Sequence, residues 1–250
     1  MPATPAWPPK SQPRLLVREP LSEGASVDLD AGQANYLGNV MRLGVGSELL
    51  VFDGKSGEWL ARITEAGKKR MTLAVERRTR EAEAIPDVWL AFAPVKRTQT
   101  DWLVEKATEL GAAKLLPMIT QRTIAERVKL ERLEAIAIEA AEQCGRTVLP
   151  EIAEPVSLKQ LLGGRDPERR LYFADEGGGE PAVTAFAPGP ALILTGPEGG
   201  FTDEERAAIR AAPKSVPITL GPRILRAETA ALAALAAFMA VAGDWRLIDT

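Results

Sequence analysis

The chain predicts an α/β protein, in which a mostly parallel sheet with helices on both sides follows a smaller β-rich domain. Three observations predict this. Strand-like and helix-like segments alternate over about 160 residues from residue 83 onward, the pattern of βα units. Ahead of them, short runs of alternating polarity are separated by Asp-Gly and Ser-Gly turn pairs. The longest apolar stretch, 229–242 (TAALAALAAFMAVA), is shorter than the ~20 residues that span a bilayer, so it reads as a buried helix.

The elements follow in order. Residues 1–13 are proline-rich and lack the apolar core and cleavage site of a secretion signal, so they read as a flexible lead-in. Residues 14–82 carry strand-like runs at 47–52 (SELLVF), 58–63 (EWLARI) and 71–75 (MTLAV), with one helix at 31–41. The stretch 80–86 (REAEAIP) breaks that rhythm and places the boundary. From 83 to 250 come a strand at 88–93, a helix at 98–110, a strand at 114–119 and a helix at 129–143. Further strands are expected at 170–174, 191–195 and 216–220, with helices after the last two. Box-like helix starts pair Thr98 with Asp101, Ser157 with Gln160 and Thr202 with Glu205. Leu103, Val104, Ala107 and Leu110 fall on one face of the first of these helices, as a 3.6-residue period requires.

Composition narrows the chemistry. With 46% hydrophobic and 26% charged residues the chain has the balance of a soluble globular protein. It has no histidine, which removes Ser-His-Asp and Cys-His nucleophile pairs and the commonest general base near neutral pH. The one cysteine, Cys144, cannot form an intrachain disulfide, and a zinc site would need an all-carboxylate shell. The expected setting is therefore reducing and cytoplasmic, with no metal. Cys144 and the tryptophans Trp59, Trp89, Trp102 and Trp245 are expected to pack as core residues. The net charge of −3 is uneven: residues 1–80 hold 12 Lys/Arg against 9 Asp/Glu, or +3, leaving −6 for the rest. That points to a mildly basic front module on an acidic body.

Two stretches carry the chemistry. In 191–201 (ALILTGPEGGF) a buried-type strand runs into three glycines, a proline and a glutamate before a capped helix. It is neither a phosphate loop, which needs Gly-Lys-Ser/Thr, nor the spaced dinucleotide fingerprint. Lacking lysine, it suits a ligand recognised through an uncharged adenosine, although alone it is equally a tight strand-to-helix turn. The stretch 220–230 (LGPRILRAETA) repeats the layout but sets Arg223 and Arg226 near the helix start. A helix start favours negative charge by ~0.3–1 kcal/mol, so two arginines there suggest an anionic partner. The alternative is that one of them pairs with Glu228 or Glu198.

GPEGGF followed by LGPRILRAETA resembles the RsmE-type methyltransferases of the SPOUT superfamily. Residues 101–120 (DWLVEKATELGAAKLLPMIT) and 139–150 (EAAEQCGRTVLP) resemble other signatures of that family, and 35–54 (NYLGNVMRLGVGSELLVFDG) resembles its N-terminal RNA-binding domain of PUA-like fold. Asn35 is a departure, standing where many relatives carry histidine. The resemblance implies S-adenosylmethionine as cofactor and N3 of one uridine in 16S ribosomal RNA as target. It also implies a homodimer and a C-terminal trefoil knot, a rare kind of chain path. By the same likeness Thr195, Gly196, Glu198, Gly199, Gly200, Leu220, Gly221, Ile224 and Leu225 line the cofactor pocket.

Uracil N3 carries a proton between two carbonyls, so methylation needs that proton removed and the carbonyl charge stabilised. Arg226 is the expected stabiliser, and Glu228 is expected to orient it or to accept the proton. RNA affinity is expected to spread over Arg14, Arg18, Arg42, Lys68, Lys69, Arg70, Lys96 and Arg97, weighed as a set. A non-catalytic RNA-binding dimer and a methyltransferase of the same fold acting on transfer RNA are the alternatives. A nucleotide-cofactor oxidoreductase lacks the glycine fingerprint.

Overall fold

The computed structural model describes residues 12–67, 70–124 and 128–245. They fall into two compact units, the described residues of Met1–Ala84 with Ala141–Val148, and those of Ile85–Ala140 with Leu149–Thr250.

The first unit is a five-stranded sheet. Its strands are β1 (Arg14–Leu16), β2 (Ser26–Leu29), β3 (Glu48–Phe52), β4 (Glu58–Ala66) and β5 (Met71–Arg80), in the order β1-β3-β4-β5-β2. Only the β1–β3 pair is parallel. Between β2 and β3, helix α1 (Ala31–Asn35) runs into a π-helical turn, Tyr36–Val40. Together they nearly fill the single helix expected at 31–41. Leu37, Leu49, Val51, Ile63, Met71 and Leu73 make the core.

The Asp53 carboxylate sets the β3–β4 connection by accepting from the backbone of Lys55 at 2.9 Å, of Ser56 at 2.7 Å and of Leu21 at 3.3 Å. Burial acts to raise its pKa, but these bonds outweigh burial and hold it below the ordinary carboxylate value. Gly57 follows at φ +96°, where a Cβ would lie 2.2 Å from the Arg80 carbonyl. Only glycine fits there.

The second unit is the expected α/β body. Its elements are β6 (Val88–Phe92), α2 (Arg97–Glu109), β7 (Lys114–Ile119), α3 (Leu130–Cys144), β8 (Glu151–Ile152), β9 (Val156–Ser157) and α4 (Leu158–Gly164). They continue with β10 (Arg170–Ala174), β11 (Glu180–Pro181), α5 (Ala182–Ala185), β12 (Ala191–Thr195), α6 (Asp203–Ala211), β13 (Ser215–Thr219) and α7 (Ala227–Val241). Residues 141–144 of α3 belong to the first unit. The strand order is β11-β13-β10-β12-β6-β7-β8, with β9 on β7, and every pair is parallel.

Strand alternation explains why both faces are covered. Leu90, Tyr172 and Ile193 point to one side, with Leu103 and Ala107 of α2 and Leu235 and Phe238 of α7. Ala91, Phe173, Leu192 and Leu194 point to the other, with Leu161 of α4 and Ile209 of α6. All five residues of β12 are buried, as a central parallel strand requires. The apolar stretch near the C-terminus is indeed a packed helix, α7, and no helix among the described residues is long and apolar enough to cross a membrane.

Several local expectations are corrected. The Ser157–Gln160 and Thr202–Glu205 boxes form, but the Thr98–Asp101 box does not. Helix α2 starts at Arg97 with Lys96 at the cap and no side-chain cap bond. Asp101 is instead held by Arg132 at 2.8 and 2.5 Å. A box that was not foreseen caps α1, where Asp30 and Gln33 bond reciprocally. Cys144 ends α3 half-buried, and Trp102 and Trp245 are 44% and 53% exposed, so these three are not core residues.

Candidate active site

Because all the strands of the second unit are parallel, their carboxyl ends share one edge, the place where open α/β sheets bind ligands. Strands β12 and β13 flank β10. The loops after them, 196–202 and 220–226, therefore leave that edge on either side of the loop after β10.

The 196–202 loop is fixed at each step. Gly200 sits at φ +67° with its backbone N–H donating to the Pro197 carbonyl at 2.9 Å, closing a tight turn. A Cβ on Gly200 would lie 2.5 Å from Oε1 of Glu176, and one on Gly196 would lie 2.8 Å from the Phe201 ring. Phe201 is in turn packed edge-on against Phe173 at 5.3 Å. Arg122, from the loop after β7, donates to the carbonyls of Gly199 at 2.7 Å and Phe201 at 3.3 Å. Glu205 is buried, and its carboxylate accepts from the backbone of Thr202 at 3.0 Å and of Gln121 at 2.8 Å.

Glu176 is held by Arg206 of α6 at 2.9 Å. Its neighbour Asp175 has a fully buried side chain between Arg206 at 2.5 Å and Arg210 at 2.5 Å. Arg122, Asp175, Glu176, Arg206 and Arg210 were not anticipated from the sequence, and Glu205 was expected only as the capping partner of Thr202. For Arg122, Asp175 and Glu176 the signal was the placement of charged residues just beyond the carboxyl ends of predicted strands, whereas Arg206 and Arg210, inside α6, carried none. Of the residues expected to line a cofactor pocket, Thr195 is buried at the strand end, Gly200 is buried in the turn, and Glu198 and Gly199 are exposed.

The 220–226 loop is unlike its neighbour. Gly221 has φ +103° and nothing within 4 Å of a Cβ position. Leu220 and Leu225 are half-buried, while Ile224 is 95% exposed. Arg223 and Arg226 are exposed and their guanidinium groups make no hydrogen bond or ion pair with any described residue, so the alternative pairing with Glu228 or Glu198 does not occur. Arg226 is the N-cap of α7 and caps it with its backbone carbonyl alone.

Glu228, in the first turn of α7, is buried to 9% exposure and has no hydrogen-bond or ion-pair partner among the described residues. Its carboxylate oxygens are not among the sealed unpaired atoms of the described residues, so they keep access to solvent, and they are free to meet a second molecule. The edge thus combines a rigid glycine turn with an open loop bearing free guanidinium groups and an unpaired carboxylate.

The cations expected to meet RNA divide. Arg18 and Arg42 are exposed, and Arg70 is exposed but paired with Asp28 at 2.8 Å. Lys96 and Arg97 are exposed at the start of α2, and Lys68 and Lys69 lie outside the described residues. Arg14 is a correction. Its side chain is 6% exposed, with the guanidinium bound to Glu58 at 2.7 Å and donating to the carbonyls of Ala141, Glu142 and Arg146 at 2.7, 3.1 and 2.8 Å. It neutralises the carbonyl end of α3 and has no face left for a phosphate.

Comparison with known proteins agrees with this architecture. The RNA methyltransferase domain family matches residues 81–239 and the RNA methyltransferase PUA domain family matches 29–76. The chain is similar to ribosomal RNA small subunit methyltransferase E of a Synechocystis species, 35% identical over 89% of this chain and 76% of that one. It is 30% identical to the protein of that name from Rickettsia conorii, over 89% and 93%. A crystal structure of the Neisseria gonorrhoeae protein of that name, bound to S-adenosyl methionine, superposes with a TM-score of 0.87 at 29% identity, covering 94% of this chain and all of that one. The chain belongs to the RNA methyltransferase family that these ribosomal RNA small subunit methyltransferases E represent.

Proposed function

We propose that this protein transfers a methyl group from S-adenosylmethionine to N3 of one uridine in 16S ribosomal RNA. The observation that carries the reading is the pairing of a braced glycine turn with an open loop holding the free guanidinium of Arg226 beside the unpaired side chain of Glu228. The residues fit the cofactor. A turn without lysine suits an uncharged adenosine, and at Gly200 a side chain would fill space at the turn. Thr195, Gly196, Glu198, Gly199 and Gly200 would hold it from one side, and Leu220, Gly221, Ile224 and Leu225 from the other. When bound, S-adenosylmethionine supplies an electrophilic methyl group on a sulfonium.

The chain's own groups prepare the base. Arg226, free of partners, hydrogen-bonds a uracil carbonyl and stabilises the charge that deprotonation of N3 leaves there. Glu228 takes that proton. No bond joins it to Arg226, so accepting the proton suits it better than orienting the arginine. Methyl transfer demands in-line approach, and the bracing of the 196–202 loop provides the fixed side of that geometry.

We further propose a homodimer, a C-terminal trefoil knot and action in the cytoplasm, as the family resemblance implies. Calorimetric titration with S-adenosylmethionine, followed by methyl transfer to ribosomal RNA from a strain lacking the gene, tests the reading. Heat and incorporation are expected. Absence of heat would leave a non-catalytic RNA-binding protein.

A further inference from the structure

The proposed function gives no ligand to the loop after β10, although that loop leaves the binding edge of the sheet between the two loops that have one. It opens on a pair of acids. Asp175 is sealed in, its carboxylate held by Arg206 at 2.5 Å and by Arg210 at 2.5 Å, and it turns the chain by accepting from the backbone of Gly177 at 2.8 Å. Glu176 is the reverse, with 57% of its side chain exposed.

Exposed as it is, Glu176 is fixed at one end. Its Oε1 accepts from Nη2 of Arg206 at 2.9 Å while Nη1 of the same guanidinium binds Asp175, so the fork of one arginine sets both carboxylates. The carboxyl group lies over Gly200, where a Cβ would be 2.5 Å from Oε1 and 3.2 Å from Oε2. Oε2 has no partner among the described residues. An acceptor is therefore held against the glycine turn with one oxygen anchored and the other open.

We propose that Glu176 recognises the ribose of the cofactor, its Oε2 accepting a hydrogen bond from the 2′ or the 3′ hydroxyl. The inference rests on the reading that the 196–202 turn binds S-adenosylmethionine. Charge selects the ribose over the other strong donor of that molecule, the methionine ammonium. Asp175 and Glu176 face Arg206 and Arg210, two carboxylates against two guanidiniums, so the cluster is neutral as a whole. A neutral cluster with a spare lone pair suits an uncharged hydroxyl, whereas an ammonium leaving water needs a carboxylate that is not already neutralised. Position selects it too. Strand β10 lies beside β12 in parallel, and in nucleotide-binding sheets of this kind an acid near the glycine turn holds a ribose hydroxyl. Arg206 is then a positioning residue, acting on the cofactor through Glu176.

Calorimetric titration of the full chain with three ligands tests this: S-adenosylhomocysteine and its 2′-deoxy and 3′-deoxy forms. The wild type should bind one of the deoxy forms about tenfold more weakly, the ordinary effect of losing one hydrogen bond to a charged acceptor. Glu176→Ala should bind S-adenosylhomocysteine at that weakened level and lose nothing further when the hydroxyl is removed. Glu176→Gln keeps an acceptor oxygen and should fall between the two. Melting temperatures near that of the wild type are expected for both variants, because the side chain is exposed.

A wild type that binds none of the three ligands, or all three alike, overturns the inference. So does equal weakening of all three by Glu176→Ala with the deoxy penalty intact, which would make Glu176 a strut of the turn. Weakening of S-adenosylmethionine alone, with S-adenosylhomocysteine unchanged, would also overturn it, since the carboxylate would then answer the sulfonium charge. Methyl transfer to ribosomal RNA is measured separately. Should the wild type show the hydroxyl dependence and transfer no methyl group, the proposed activity falls and the ribose contact stands.

Discussion

The two loops that flank β10 share a plan of strand, glycine and helix, yet one is braced and the other is bare. Around 196–202, Arg122, Glu176, Phe201 and Glu205 each occupy a contact, and a side chain on Gly196 or Gly200 would collide. Around 220–226, Gly221 faces open space and Arg223, Ile224 and Arg226 are exposed. The contrast teaches how a site divides its work. Parts that must not move are cross-braced by the protein, and parts that meet a second substrate keep their valences free.

Variants can break this comparison. The largest effect is expected from Arg226→Ala, which should slow methyl transfer by up to about 10³-fold while the calorimetric titration with S-adenosylmethionine stays near wild type. A wild-type rate would remove Arg226 from the mechanism. Glu228→Gln should cost about 10² in single-turnover rate at neutral pH. Full activity there would end its role as proton acceptor.

Gly200→Ala acts on the braced side. Its left-handed backbone and the Glu176 carboxylate beside it should weaken cofactor affinity about tenfold, with little change in rate at saturating cofactor. A fall in rate without a fall in affinity would reverse the assignment of the two loops.

Glu58→Gln should touch neither loop. Burial acts to raise the pKa of Glu58, but hydrogen bonds from Arg80 and Arg14 and their charges outweigh it and hold the value below the ordinary 4.5. The stabilisation is therefore complete above the unfolded-state value and is lost as pH falls through the lower folded-state value. Breaking so buried a pair should cost about 3 kcal/mol at neutral pH, and the difference from wild type should shrink in acid. Thermal melts over a pH series, with cofactor titration unchanged at neutral pH, check both halves.

The sequence made the sheet legible and left the bracing hidden, for physical reasons. Strands β7, β10 and β12 carry continuous apolar runs, because both of their faces are covered, and they lie at their expected residues. The two-residue edge strands β8, β9 and β11 are too short to show a period. Helix α2 was placed one residue late because Thr98 resembles a cap, whereas the chain bends into the helix at Lys96.

Arg226 was legible because a positive charge at a helix start conflicts with the helix dipole, and Glu228 because it lies two residues further on. Arg122 was not, since it braces a carbonyl 77 residues away through a strand order that periodicity does not reveal. Arg14 read as a surface cation for the same reason, since the carbonyls it caps lie 127 and more residues along the chain. Long-range partners escape a linear reading.

The most direct test of the division between the loops is nucleoside mass spectrometry of 16S ribosomal RNA from a strain lacking the gene, treated with S-adenosylmethionine and either the wild-type protein or Arg226→Ala. N3-methyluridine is expected to be missing from the untreated RNA, to be restored by the wild type, and not to be restored by Arg226→Ala although that variant binds the cofactor. Restoration by Arg226→Ala, or methylation by the wild type at another atom or only in transfer RNA, would contradict it.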